Sequence, residues 1–338
     1  MNLSQITLYN IDKDTQISRI INGMWQVSGA HGNINKKDAI KSMKNHVENG
    51  LITWDLADHY GPAENFVKIF REKLKDQGEI ELLEKLQFFT KWVPRPQKIT
   101  REIVEEAVNI SRERMGMNSL DMLQFHWWDY NDKNYLKAIE YLDDLREAGI
   151  IKYLGLTNFD TKHLQEFIDM GIKIISNQVQ YSLIDTRPES LMQELCEKEN
   201  INLFVYGTLG GGLITDRFLN KSEPFTSQLN TASLHKYKNM VNMWGGWSLF
   251  QQYLNIIKKI ADKHHVSIAN VAVRYVLENP AVAGAIIGVR LGLSEHIEEN
   301  LRVFNFSLDQ EDFDSLNRVR SKSRNLLEII GDCGDEYR

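Results

Sequence analysis

The chain has 338 residues, 42% of them hydrophobic and 25% charged, and a formal net charge of -6. That is enough apolar material for a large core, and its scattered lysines and arginines under a net negative charge argue against nucleic acid as a partner. Two distant cysteines, Cys196 and Cys333, indicate neither a disulfide framework nor a metal site; with no cationic leader and no apolar run of roughly 18 residues, a soluble cytoplasmic protein, monomeric or homo-oligomeric, is expected.

Taken in order, Ile6 to Ile17 reads as a hairpin around the polar turn Asp12-Lys13-Asp14. Regular strand patterns follow at Ile20–Gln26, Ile52–Ala57, Leu86–Trp92, Met122–Trp127, Ile151–Thr157, Lys173–Tyr181, Leu203–Thr208 and Ala283–Val289. Amphipathic helical patterns fall between them at Lys37–Asn49, Ala63–Lys75, Thr100–Met115, Leu136–Ala148, Lys162–Met170, Glu189–Glu199, Phe250–His264 and Ile268–Leu277. Near-continuous apolar strands alternating with helices argue for a parallel sheet covered by helices, and eight of them for a closed (β/α)8 TIM barrel. The repeat lapses between Gly210 and Gly246, where a functional loop or an accessory helix over Ser233–Met243 is expected. Ser294–Phe304 and Leu308–Val319 read as final helices. With no linker or low-complexity segment, one domain is expected: a hairpin over 1–18, a barrel over 19–304, a C-terminal helix and tail over 305–338.

Polar residues recur where strands end: Asp55, Lys91, His126, Thr157 with Asn158, Gln178, Tyr206 and Arg290. In a barrel those ends form one mouth, where barrel enzymes carry their chemistry. Asp55 and Tyr60 share a strand-to-helix loop broken by Gly61-Pro62. Reducing a carbonyl requires a proton donor aimed at its oxygen; Tyr60 suits that role if a cation lowers its pKa, and Lys91, oriented by Asp55, could do so. Singly each residue has a structural reading: Asp55 and Lys91 a buried ion pair, His126 a core histidine, Tyr60 packing. A metal site would need more ligands than Asp55 and His126 supply.

The stretch Asp55-x-Ala57-Asp58-x-Tyr60-Gly61 with Glu64, followed by Thr90-Lys91-Trp92 and Asp121-x-Leu123-x-Phe125-His126, is similar to the aldo-keto reductase superfamily over nearly the whole chain. The resemblance implies a catalytic tetrad of Asp55, Tyr60, Lys91 and His126, with His126 donating to the carbonyl oxygen, and an NADP-dependent hydride transfer between nicotinamide and an aldehyde, ketone or sugar, or the corresponding alcohol. It implies a cofactor site formed by Met24, Trp25 and Asp55, by Thr157, Asn158 and Gln178 at the carboxamide, and by Tyr206 stacked on the nicotinamide. Gly207, Thr208, Leu209, Gly210 and Arg217 would wrap the pyrophosphate, and Gly288, Arg290, Ser294, His296, Glu299 and Asn300 the adenosine side. The insertion Leu291-Gly292-Leu293 departs from the commoner pattern. Arg290 favours NADP, since a guanidinium suits a 2′-phosphate, and NAD is left open. Substrate contacts are expected at Trp25, Tyr60, Trp92, His126 and Trp127. The segment Trp244-Gly245-Gly246-Trp247 and the tail 331–338 either close over the mouth or pack peripherally. The rival reading is a nucleotide-binding regulatory subunit resembling potassium-channel β subunits.

Overall fold

The computed structural model describes residues 7–29 and 34–338. Eight parallel strands close into a barrel: β3 (Ile20–Gly23), β4 (Thr53–Asp55), β5 (Gln87–Trp92), β6 (Leu120–Phe125), β7 (Ile151–Thr157), β8 (Ile174–Gln180), β9 (Asn202–Tyr206) and β10 (Val282–Gly288), with β10 pairing back to β3 through Ala285–Ile20 and Ile286–Ile21. Before them, β1 (Leu8–Asn10) and β2 (Gln16–Ser18) form an antiparallel hairpin. Ile6, where the sequence placed the hairpin's start, lies outside the described residues.

Two apolar layers hold the fold. Inside the barrel, Ile21, Phe89, Met122, Phe204 and Ala283 meet Ile11 and Ile17 of the hairpin, which plugs the base. Outside it, Trp54, Phe88, Leu123, Leu154 and Leu203 pack against the helices. The alternation follows from the two-residue period of a strand: neighbouring residues face opposite layers.

The helices cover the outside of the barrel in chain order. Around the first half of the barrel run α1 (Lys36–Glu48), α2 (Ala63–Asp76), α3 (Ile80–Lys85), α4 (Arg101–Met115) and α5 (Asn134–Glu147). The second half carries α6 (Thr161–Asp169), α7 (Met192–Glu199), α8 (Ala232–Trp244), α9 (Gly246–Lys263) and α10 (Ile268–Leu277), with α11 (Ile297–Leu301), α12 (Gln310–Arg320) and α13 (Leu326–Ile330) closing the chain. Thr100 caps α4 through the Ile103 N–H, and Gly116 ends it in the left-handed region at φ 62°.

Several boundaries differ from expectation. β3 ends at Gly23, its last barrel pair, and the chain turns outward through a 3-10 segment at Met24–Ser28. β9 stops at Tyr206 because Gly207 is left-handed at φ 73°. A Cβ there would stand 2.3 Å from the Tyr237 hydroxyl, so the accessory helix α8 can approach this loop only over glycine. The short α3 was not legible, since six residues hold too little period to read. The expected helix from Ser294 begins at Ile297, because Arg290 to Ser294 closes as a turn with the Leu293 N–H on the Arg290 carbonyl.

Candidate active site

The strand ends bring one buried polar cluster together at the C-terminal mouth. Asp55 is the last residue of β4 and Lys91 lies in β5; each is 4% exposed. The Lys91 ammonium donates to Asp55 Oδ2 at 2.6 Å and to the Leu56 carbonyl at 2.8 Å. The other carboxylate oxygen accepts from Gln124 at 2.9 Å and from Gln178 at 2.7 Å, and Gln178 also donates to Gln124 Oε1 at 2.8 Å. Two of the three ammonium hydrogens and both carboxylate oxygens find partners from within, which is what makes a buried charge pair tolerable. Gln124 was not singled out from the sequence. The signal was its parity: it lies two residues before His126 on β6, whose alternate residue Met122 also faces the barrel interior.

Tyr60 stands on the loop after β4. Its N–H meets the Ala57 carbonyl at 3.1 Å, and Gly61 follows at φ 54°. Three contacts hold the loop: Asp58 Oδ2 accepts the Val93 N–H at 3.1 Å, Arg114 donates to the Asp58 carbonyl at 3.0 Å, and buried Glu64 accepts from Thr90 at 2.7 Å. Lys91 Nζ lies 5.1 Å from the centre of the Tyr60 ring. The phenol is not lowered, contrary to expectation: burial, reinforced by Asp55, Tyr337 and Asp58, holds it well above its ordinary value. The reason is that the ammonium's hydrogen bonds go to Asp55 and Leu56. Burial in turn pulls the Lys91 pKa down, against the raising effect of Asp55.

His126 follows β6 directly, its N–H on the Trp92 carbonyl at 3.1 Å. Its Nδ1 lies 3.1 Å from the Thr157 carbonyl, which can only accept, so Nδ1 carries the hydrogen. Burial, with Arg338 and His59 assisting, lowers its pKa to about 4. The ring is therefore neutral at pH 7, and Nε2 is a bare, buried nitrogen without a partner among the described residues. In this tautomer Nε2 accepts, whereas the resemblance implied a donor at this residue.

The residues assigned to a cofactor divide into two groups. Thr157 and Gln178 belong to the buried cluster; Gln178 gives its amide hydrogens to Asp55 and Gln124, so of its amide only the carbonyl oxygen is uncommitted to them. Asn158, left-handed at φ 58°, accepts from the Tyr206 hydroxyl at 2.7 Å. Gly207, Thr208, Leu209 and Gly210 form a tight loop with the Gly210 N–H on the Gly207 carbonyl at 2.8 Å, and Thr208 Oγ1 is buried without a partner among the described residues. Arg217, further along on a 3-10 turn, is exposed with its guanidinium 5.4 Å over Phe218. Gly288, Arg290, Ser294, His296, Glu299 and Asn300 line a surface turn and α11, where Gly292 at φ 78° packs against Asp38 of α1. The insertion is thus absorbed by a turn that keeps Arg290 beside Ser294.

The aromatic wall is rearranged. Trp25 is 40% exposed and meets Tyr60 edge-on at 5.1 Å, whereas Met24 is buried in the core. Trp92 is buried and stacks on Phe125 at 5.6 Å. Trp127, assigned to substrate, instead turns into the core, its indole N–H donating to the Asp129 carbonyl at 2.8 Å and the Asp132 carbonyl at 3.0 Å. Its neighbour Trp128, 43% exposed, meets His126 edge-on at 4.4 Å. The two adjacent tryptophans face opposite ways, and periodicity alone did not say which. Trp244 and Trp247 pack peripherally, Trp244 on Tyr253 at 5.3 Å and Trp247 through an N–H to the Lys221 carbonyl at 2.9 Å. The tail 331–338 does reach the mouth: the Tyr337 ring lies 6.2 Å from His126. Neither Tyr337 nor its partner Lys236 was anticipated.

A closed barrel with a buried Asp–Lys pair, a phenol and an orphaned imidazole nitrogen at its mouth defines a barrel protein with acid–base groups where such folds carry chemistry. Thr208 Oγ1, buried in the 207–210 loop with no partner among the described residues, is the kind of orphaned polar atom a bound nicotinamide dinucleotide would satisfy. The family model of the aldo/keto reductase family matches residues 19–321, and the chain belongs to that family. It is 23% identical over 316 residues to the NADH-specific methylglyoxal reductase of Escherichia coli (strain K12), covering 88% of this chain and 93% of that one. It is 28% identical over 239 residues to flagellar radial spoke protein 5 of Chlamydomonas reinhardtii, covering 61% of this chain but only 45% of that protein. The structure of a glycerol dehydrogenase from Gluconobacter oxydans superposes with a TM-score of 0.75 at 21% identity, covering 97% of both chains. The closed barrel agrees with that family membership.

Proposed function

We propose that the protein reduces a small carbonyl compound, or oxidises the corresponding alcohol, with Tyr60 as the general acid and base. The observation that carries the reading is the convergence of Tyr60, Lys91, Asp55 and His126 at one mouth, with Lys91 5.1 Å from the Tyr60 ring centre. The nicotinamide, when bound, supplies or accepts the hydride. Tyr60, kept protonated by burial, delivers the proton to the carbonyl oxygen in reduction. As that proton leaves, the Lys91 ammonium stabilises the developing phenolate, and Asp55 keeps the ammonium charged and oriented. His126 accepts through Nε2, so a hydroxyl on the product alcohol, or beside the reacting carbonyl, fits it as a donor. Trp25 and Trp128 wall the substrate side and favour a compact neutral carbonyl.

Thr157, Asn158 and Gln178 would hold the carboxamide, with Gln178 offering an acceptor oxygen. Tyr206 would face the ring and the 207–210 loop, with Arg217, the pyrophosphate. Arg290 supports NADP, since it is an exposed residue whose backbone bridges to Ser294 on the turn assigned to the adenosine side, and a guanidinium suits a 2′-phosphate. The NADH-specific relative keeps NAD in the test. The residues fit catalysis better than a regulatory subunit, because a scaffold has no use for a buried Asp–Lys pair beside a protonated phenol.

The reading is tested by titrating the protein with NADPH and NADH, then following oxidation of the bound cofactor against small aldehydes, ketones and hydroxy-carbonyls. Tighter NADPH binding and turnover of at least one carbonyl are expected. Binding of neither nucleotide would contradict the reading.

A further inference from the structure

The last eight residues, 331–338, lie across the mouth as a strap with a fixed half and a lighter half. The fixed half is held by buried groups. Arg187, oriented by Asp185 at 2.8 and 2.9 Å, donates to the Asp332 carbonyl at 2.8 Å and to Glu336 at 2.9 Å. Asp332 accepts the Thr161 N–H at 2.8 Å, at the start of α6, and Cys333 is fully buried. Gly334, at φ 86°, then turns the chain against the Asn158 carbonyl. Beyond it Tyr337 enters the site. Its hydroxyl stands 3.1 Å from that of Tyr206 and accepts from Lys236 Nζ at 2.5 Å, while its ring lies edge-on to His126. Lys236 sits 4.2 Å over the Tyr337 ring and 5.4 Å over the Tyr206 ring. Arg338 donates to the Asn158 and Trp127 carbonyls and covers Tyr130 at 3.9 Å.

We propose that this strap is autoinhibitory: Tyr337 occupies the space between Tyr206 and His126 that a nicotinamide ring requires, and Tyr337 and Arg338 must swing away about Glu336, which the Arg187 clamp holds in place, before the dinucleotide binds. The inference rests on the nucleotide reading given above. Two features make the strap releasable. The groups that hold Tyr337 and Arg338 are half-exposed side chains and single carbonyls, unlike the buried Arg187 clamp. Lys236 has, among the described residues, no carboxylate within 4.0 Å, so its ammonium can exchange the Tyr337 phenol for an anionic group of the cofactor. Its ring neighbour Tyr237 abuts Gly207, which puts this cation next to the loop assigned to the pyrophosphate.

A closed strap lowers apparent affinity by the fraction of molecules that are open, so a strap open in about one molecule of ten weakens nucleotide binding about tenfold. The test compares stopped-flow NADPH binding to the full-length chain and to full-length Tyr337→Ala, alongside hydrogen exchange of the tail. The proposal expects the observed binding rate of the natural chain to level off with NADPH concentration at the rate of strap opening. Tyr337→Ala should abolish that plateau and bind severalfold tighter, and NADPH should speed amide exchange at 337–338 while leaving Cys333 protected. Should Tyr337→Ala fold poorly, Tyr337→Phe, which loses both hydroxyl contacts but keeps the ring, should give the same changes in smaller measure. Unchanged or weaker NADPH binding by the variants, with exchange at 337–338 slowed by the nucleotide, would overturn the strap and make Tyr337 a wall of the bound site. Failure of both natural and variant chains to bind either nucleotide would instead overturn the nucleotide reading, and the strap with it.

Discussion

The two ends of this barrel are built from the same eight strands and solve opposite problems. At the base, the hairpin drives Ile11 and Ile17 between Phe89, Met122 and Phe204, and the interior is apolar. At the mouth, the same strands carry Asp55, Lys91, Gln124 and Gln178, buried as deeply but joined by a continuous set of hydrogen bonds. The difference shows that depth of burial does not separate structure from chemistry here. What separates them is what fills the interior: apolar side chains at the base, and at the mouth a hydrogen-bonded polar cluster beside which His126 Nε2 and Thr208 Oγ1 have no partner among the described residues.

The comparison breaks most visibly at Lys91. Lys91→Met leaves Asp55 buried with only amide donors, and should cost about 3–5 kcal/mol of stability along with nearly all turnover; denaturant unfolding and steady-state rates measure both. A loss under about 1 kcal/mol would mean that Gln124 and Gln178 carry the carboxylate unaided. At the base, Ile17→Ala should cost about 2–5 kcal/mol through a cavity under the hairpin, while turnover per folded molecule stays unchanged. Altered turnover there would erase the distinction between the ends.

The smallest effect is in the pH dependence, where the two ends oppose each other. His126 at the mouth titrates near 4 when folded and near 6.5 when unfolded, so the unfolded chain binds the extra proton between those values. Its contribution to stability is complete above 6.5 and is lost as pH falls toward 4, reaching about 3 kcal/mol at most. Asp121 at the base end of β6 is pushed by burial up to about 6, so its contribution is complete below the ordinary carboxyl value of 3.8 and is lost as pH rises through 6. Urea unfolding from pH 4 to 7 should show a shallow net slope in the natural chain. His126→Asn should leave stability falling with rising pH, and Asp121→Asn should make it rise more steeply.

The sequence carried the barrel because each strand is an apolar run bounded by polar ends, and it carried the acid–base cluster because Asp55 and Tyr60 share one loop while Lys91 and His126 each end a strand. It failed where information is not local. Trp127 and Trp128 are adjacent, and only packing decides that the first turns inward to the Asp129 and Asp132 carbonyls. Lys236 and Tyr337 meet across 101 residues, with no shared period to announce it. The expected lowering of the Tyr60 pKa failed for a different reason: proximity in a motif does not say where an ammonium spends its hydrogen bonds, and Lys91 spends two on Asp55 and Leu56.

The most direct test of the account is a single-turnover comparison of the natural chain with Tyr60→Phe, each loaded with its preferred reduced nucleotide. The account predicts unchanged nucleotide affinity with hydride transfer slowed by about 10²–10⁴-fold, as expected when a general acid is removed. Hydride transfer at the natural rate in Tyr60→Phe would contradict it and move the proton donor elsewhere in the mouth.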